Sequence, residues 1–159
     1  APPLAADALL TELAQTHGLA LLPQQGDDIG ARMAHALRWS LADATPTLLI
    51  GSDCGALTPE YLRAAARALA APNDVVLGPA EDGVYFRIGA RTQCPDLFSG
   101  IEWSTPRVLE QTRERLRQTG LRWHELAATW DVDEPRDLAR LTQLDAFRAW
   151  RSLLQQGGA

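Results

Sequence analysis

An α/β fold built on a mostly parallel sheet is the class the chain predicts, and three observations predict it. Apolar runs alternate with stretches of helical spacing, the pattern of strands interleaved with helices. The run Thr47-Leu48-Leu49-Ile50 closes on Gly51-Ser52-Asp53, as a buried parallel strand does when it ends in a turn. Finally, 159 residues that are 46% hydrophobic and 22% charged can bury one core and hardly two, so a single domain over residues 1–159 is expected.

The elements follow in order. Leu4 to His17 reads as a helix stopped by Gly18, and Leu19 to Leu22 as a short apolar strand before Pro23. After the turn Gln25-Gly26-Asp27-Asp28, Ile29, Met33, Leu37 and Leu41 recur at i+4. That spacing predicts an amphipathic helix from about Asp28 to Ala42, with Asp28 as its cap. Thr47 to Ile50 reads as the central strand. Thr58-Pro59-Glu60 is a cap, a proline at the first helical position and an acid in the first turn, ahead of Leu62, Ala65, Ala66 and Leu69 on one face. Val75-Val76-Leu77-Gly78 is a further buried strand, with Tyr85 to Ile88 as its continuation or partner beyond Glu81-Asp82-Gly83. Thr105-Pro106 repeats the helix-start signal for a helix reaching Thr119 and stopped by Gly120. Leu121 to Leu126 reads as a strand, and the chain from Pro135 as helical to about Gln155.

Composition removes several function classes. A net charge of −5 with scattered basic residues argues against a nucleic-acid surface. All 15 basic residues are arginine, which excludes a Walker-type phosphate loop and a Schiff-base lysine within this stretch. Cys54 and Cys94 lie too far apart for a CxxC site. No apolar run approaches a membrane span and no signal-peptide pattern opens the chain, so reduced thiols in a cytoplasmic protein are expected.

Candidate chemistry gathers at predicted strand ends. Asp53 follows the apolar run, and Asp131-Val132-Asp133 precedes Pro135. Loops at the carboxyl ends of parallel strands are where open α/β sheets bind ligands, and Mg²⁺ is held by one or two carboxylates plus substrate phosphates. Asp53, Asp131 and Asp133 are therefore candidate metal ligands. Their alternatives are a turn aspartate and helix-capping acids. The Gln25 turn is equally a capping turn, Asp82-Gly83 a hairpin turn, and Trp103 a core residue. Ser104 and Thr105 cap the helix that follows, whose first N–H groups could hold a phosphate. His17, His35 and His124 have no metal-site spacing.

Five segments in order carry a resemblance over nearly the whole chain: Gln25 to Met33, Gly51-Ser52-Asp53-Cys54, Gly78 to Gly83, Trp103-Ser104-Thr105-Pro106 and Asp131-Val132-Asp133-Glu134-Pro135. Together they resemble a bacterial family of the GT-A-like nucleotide-diphospho-sugar transferase superfamily, domain of unknown function 2064. The resemblance implies a three-layer sandwich and a transferase of glycosyl or nucleotidyl groups, using Mg²⁺ or Mn²⁺ and a nucleotide-sugar or nucleoside triphosphate, with an unknown acceptor. It implies that Gln25, Gly26, Asp28, Gly30 and Arg32 face base and ribose, and that Asp53 is the metal aspartate and a catalytic group. Asp82 would be a second catalytic group at the acceptor, and Gly83, Trp103, Ser104 and Thr105 would line the substrate.

The chain departs from the family pattern at Gly55, Val84 and Glu134, where proline, glycine and threonine are usual. It also resembles a member lacking the first strands and their phosphate-contacting loop. Such a sheet is expected to expose an apolar edge open to pairing with a second copy. The alternative function is a catalytically inactive remnant serving as a binding module. An upstream segment with a Gly- and basic-rich loop would favour the enzyme.

Overall fold

The computed structural model describes residues 8–55, 57–70, 72–132, 134–144 and 147. Helix α1 spans Ala8–His17 and ends at Gly18, whose φ of +64° suits a residue without a side chain. Helix α2, Ile29–Ser40, begins where the Asp28 carboxylate accepts the Ala31 N–H at 2.7 Å. A single 3-10 turn, Leu41–Asp43, leads into strand β1, Thr47–Ile50. Helix α3, Pro59–Ala70, is capped by the Thr58 hydroxyl, which accepts the Tyr61 N–H at 3.2 Å. Strands β2, Val75–Pro79, and β3, Tyr85–Ala90, precede α4, Val108–Thr119, then β4, Trp123–Glu125, and α5, Pro135–Leu141.

The sheet corrects the expected topology. Its order is β1-β3-β2-β4, with β3 antiparallel to both β1 and β2 and only β2 and β4 paired in parallel. The sheet is thus mixed rather than mostly parallel. The cause is local: β2 and β3 are joined by the short Glu81–Val84 turn, too short for the crossover that parallel neighbours need. β3 then inserts beside β1, pairing Thr47 with Ala90 and Ile50 with Arg87. Among the described residues β1 is consequently an edge strand, not the central one, and its Ile50 is exposed.

Alternation along β2 divides the core. Val75 and Leu77 face Leu37 and Leu41 beside α2, and Val108, Leu109 and Leu116 of α4, whereas Val76 faces Ala65 and Leu69 of α3. The result is helices on both faces of one sheet. All of β2 is buried, which explains its unbroken apolar sequence.

Three other boundaries move. Leu19 to Leu22 forms no strand, and its Leu19 and Leu21 stay exposed. Helix α4 starts at Val108, beyond the Thr105-Pro106 signal, because Thr105 instead donates to Glu102 O at 2.8 Å and closes a turn first. Helix α5 begins at Pro135 as expected, with Asp137 accepting the Glu134 N–H at 2.8 Å at its cap, but ends at Leu141 and gives way to a turn over residues 142–144 instead of running on unbroken toward Gln155. Leu4 to Asp7, Asp133 and the proposed helical run beyond Phe147 lie outside the described residues.

Candidate functional site

Two chain segments meet at the carboxyl end of the sheet. β1 runs out through Gly51 into the Ser52-Asp53 turn, and the Asp53 carbonyl accepts N–H groups from Gly55 at 2.8 Å and Val132 at 3.2 Å. The Val132 bond brings the Asp131 segment against Asp53. That segment extends the parallel pairing of β2 and β4. Leu126 N–H donates to Leu77 O, Thr129 N–H to Pro79 O, and Glu81 N–H to Thr129 O, with N···O distances of 2.9, 3.0 and 3.0 Å. Asp131 is buried and Asp53 half-buried, with Asp53 Oδ1 enclosed and without a hydrogen-bond partner.

A cation missed by sequence reading lies beneath them. Arg87, at the centre of β3, is 1% exposed. Its Nη1 donates to the Thr129 hydroxyl, and its guanidinium carbon sits 4.8 Å from the centre of the Tyr61 ring. Its Nε and Nη2 are buried without partners. Gly78, opposite Arg87 in the ladder, leaves the room: a Cβ there would lie 2.6 Å from the Tyr61 hydroxyl and 2.9 Å from Arg87 Cβ. Cys54 senses the whole cluster. Burial pushes its thiol pKa up, the Arg87 charge opposes this, and Asp53 and Asp131 add to the rise. Tyr61 is likewise raised by burial, against the pull of Arg87.

A second group forms around Trp103. The glycine at position 30 is buried against its indole, where a Cβ would stand 2.5 Å from ring atoms, and the Phe98 ring lies 6.2 Å away. Gly26, at φ +130°, closes the Gln25 turn so tightly that a Cβ would meet the Ala31 backbone at 2.8 Å. Arg32 folds back to donate from Nε to Gly26 O at 3.2 Å, while Gln25 and Asp28 are exposed. Asp82 is exposed and accepts the Val84 N–H at 3.2 Å. Gly83, at φ +89°, packs on the Pro106 carbonyl, and its own carbonyl accepts the Leu109 N–H at 3.1 Å. Ser104 is exposed in a left-handed conformation, and Thr105 accepts the Arg107 N–H at 3.3 Å.

The structure therefore brings Asp53 and Asp131 together, joins the Gln25 turn to Trp103 through Gly30, and sets Gly83 against the loop carrying Thr105. The signal that could have exposed Arg87 was its position, a charge inside an otherwise apolar strand between Phe86 and Ile88.

Residues 2–105 match the model of a family described as an uncharacterized protein conserved in bacteria, domain of unknown function 2064. The chain belongs to this family. Its fold is structurally related to GT-A-like nucleotide-diphospho-sugar transferases. A crystal structure from Desulfovibrio desulfuricans G20, provisionally named a nucleotide-diphospho-sugar transferase, matches with a TM-score of 0.79 and 33% identity, over 95% of this chain and 70% of that one. No curated protein matches. Among the described residues no helix is long and apolar enough to cross a membrane.

Asp53 and Asp131 suit a hard cation in donor type, since both offer carboxylate oxygen and Asp53 has one buried oxygen without a hydrogen bond. Among the described residues no group of three or more His, Cys, Asp or Glu side chains gathers into a metal cage. Two protein carboxylates fit a Mg²⁺ site in which waters and substrate phosphates supply the other ligands. Asp133, the third sequence candidate, lies outside the described residues.

Proposed function

We propose that this family member is a cytoplasmic, divalent-cation-dependent transferase that moves a glycosyl or nucleotidyl group from a nucleotide-sugar or nucleoside triphosphate to an acceptor. The observation that carries this reading is the convergence of Asp53 and Asp131 at the carboxyl ends of β1 and the β4 extension, bridged by the Val132 N–H to Asp53 O bond. The family membership and the 33% identical relative support the class of reaction. Asp53 and Asp131, with Asp133, would hold Mg²⁺ or Mn²⁺, which would neutralise charge developing on the leaving diphosphate.

The chain's own residues supply position. Gln25, Gly26, Asp28, Gly30 and Arg32 form the nucleotide-facing turn, supported from behind by Trp103. Asp82 and Gly83 sit at the acceptor side, and Ser104 and Thr105 contribute polar groups ahead of α4. The half-buried apolar side chains of edge strand β1 make it the surface through which copies would associate.

A thermal-shift and calorimetric screen of nucleotides and nucleotide-sugars with Mg²⁺ or Mn²⁺ tests this. Asp53→Asn is expected to weaken metal-dependent nucleotide binding by about tenfold or more, roughly 1.4 kcal/mol. Equal metal-dependent shifts in both proteins would sink the metal assignment. Nucleotide binding that ignores the cation altogether would favour the inactive binding module.

A further inference from the structure

Helix α5 is held differently from the other helices. Helices α1 to α4 each bury at least one residue, whereas no residue of α5 is buried. Seven residues are too few for a helix to persist on its own hydrogen bonds, so α5 depends on what it is fastened to. Two fastenings lie at its carboxyl end. The Leu141 side chain occupies the space a side chain at Gly55 would need, since a Cβ there would stand 2.4 Å from Leu141 Cδ1 and 3.1 Å from Val132 Cγ2. Arg140 grips both oxygens of Glu81, with Nη1 and Nη2 each donating at 2.9 Å, and its guanidinium carbon lies 4.4 Å from the centre of the Trp130 ring.

Each of these partners adjoins the candidate site. Gly55 and Val132 both give their N–H groups to the Asp53 carbonyl, Trp130 precedes Asp131, and Glu81 precedes Asp82. Helix α5 is thus laid against the turn and the strand extension that bring Asp53 and Asp131 together. That site is partly closed, with Asp53 Oδ1 enclosed and Asp131 8% exposed. A ligand that takes both carboxylates has to reach enclosed oxygens, so some part of this end must move. Strands β2 and β3 are held by ladder hydrogen bonds on both edges. Helix α5, with no buried residue, is the element free to move.

We propose that α5 is a cover over the Asp53 turn and that Arg140 is its latch: the Glu81 fork and the Trp130 stack hold the helix down with Leu141 against Gly55, and release of the fork lifts it and opens Asp53 Oδ1 to an incoming divalent cation. Arg140 and Glu81 are positioning residues that touch no reacting atom. Only hydrogen bonds and one ion pair change, and no proton moves. The latch stands on the contacts of α5 alone; what enters beneath the cover rests on the function proposed above. The pair suits release, because both side chains are about half exposed and an ion pair in water is weak and screened by salt. It biases α5 toward the closed position without locking it.

Residue-resolved amide hydrogen exchange on the full chain without added metal tests the latch. Glu81→Gln and Arg140→Ala should each speed exchange of the Thr142 and Val132 N–H groups, which donate to Leu138 O and Asp53 O, by about threefold, and leave exchange in β2 unchanged. Alanine is the better helix former, so faster exchange in Arg140→Ala cannot come from lost helix propensity. Reversing the pair, with Glu81→Arg and Arg140→Glu together, should restore part of the protection, which a packing role for Arg140 would not allow. Wild-type exchange in both single variants would overturn the latch. Faster exchange that extends equally into β2 would overturn it too, as a loss of global stability.

Stopped-flow mixing with Mn²⁺ alone, followed by quenching of tryptophan fluorescence, tests what the cover admits. Glu81→Gln should speed Mn²⁺ association by about threefold, because a larger fraction of molecules is open. Loss of a negative charge would by itself slow a cation, so the gain cannot be electrostatic steering. Unchanged or slower association would overturn the gating of the site. No Mn²⁺ response in either protein would overturn the gating and the metal-dependent function together, while faster amide exchange would still support the latch.

Discussion

Two arginine sites in this chain, only a few elements apart, are built from the same parts and differ in one respect. At the α4–β4 seam, Arg113 grips both oxygens of Glu125 and also reaches Glu110 at 3.4 Å, while the Trp123 indole N–H donates to the same Glu125 at 3.2 Å. Every strong donor there has an acceptor. At the carboxyl end of β1, Arg87 is more deeply buried than Arg113 yet satisfies only Nη1. A completed network fixes two elements in one arrangement. An incomplete one, in the less forgiving environment, leaves buried donors whose desolvation is not offset by hydrogen bonds.

The largest effect is expected from closing the space that allows Arg87 its position. In Gly78→Ala the new methyl would sit 2.9 Å from Arg87 Cβ on the neighbouring strand, and no rotation of a flexible tip relieves that contact. Overpacking of this kind costs about 1–3 kcal/mol, and tilting Tyr61 away would also remove the ring beneath the guanidinium. Urea denaturation should place the loss at the upper end of that range. Wild-type stability in Gly78→Ala would show that the cluster is looser than its contacts indicate, and would weaken the contrast with Arg113.

A smaller effect sharpens the comparison from the nucleotide side. Gly30→Ala places a Cβ 2.5 Å from the Trp103 indole, but Trp103 is half-buried and can shift where a strand backbone cannot. The expected loss is about 1–2 kcal/mol. Under the proposed function the variant should also weaken nucleotide binding, since the Gln25 turn is held from behind by this contact. Calorimetry would separate the two: destabilisation with unchanged affinity returns the turn to a capping role.

These contrasts show which parts of the molecule local sequence could reveal. Helices α2 and α3 were legible because apolar spacing, capping residues and Pro59 act within one or two turns, and Gly120 ends α4 as its position suggests, at φ +67°. Strand partners were not legible. Thr47 to Ile50 has the same apolar run whether its neighbour is parallel or antiparallel, central or absent, and only the short turn before β3 decided the matter. Leu19 to Leu22 had strand composition and found no ladder to join. The acidic half of the candidate site was visible because aspartates after apolar runs stand out, whereas Arg87 was hidden: a single charged residue in a strand ordinarily marks a solvent face. Recognising it required knowing that β3 is covered on both faces.

The smallest expected effect belongs to the completed network itself. Arg113 hydrogen bonds hold the Glu125 carboxyl below its usual range against the opposing effect of burial, and the indole of Trp123 adds to the depression. A carboxylate with a depressed native pKa contributes stability above its unfolded value, and that contribution fades as pH falls through the native value. Glu125→Gln should therefore cost about 1 kcal/mol at pH 7, modest because both side chains are about one-third exposed and Arg113 retains Glu110. The difference from wild type should shrink once pH drops below the ordinary carboxyl value of 4.5 and vanish when the native carboxylate is protonated. Urea titrations across that range would check it. A cost independent of pH would mean that Glu125 acts by packing against α4 rather than by charge, and the completed fork would then no longer be a fair reference for the empty one.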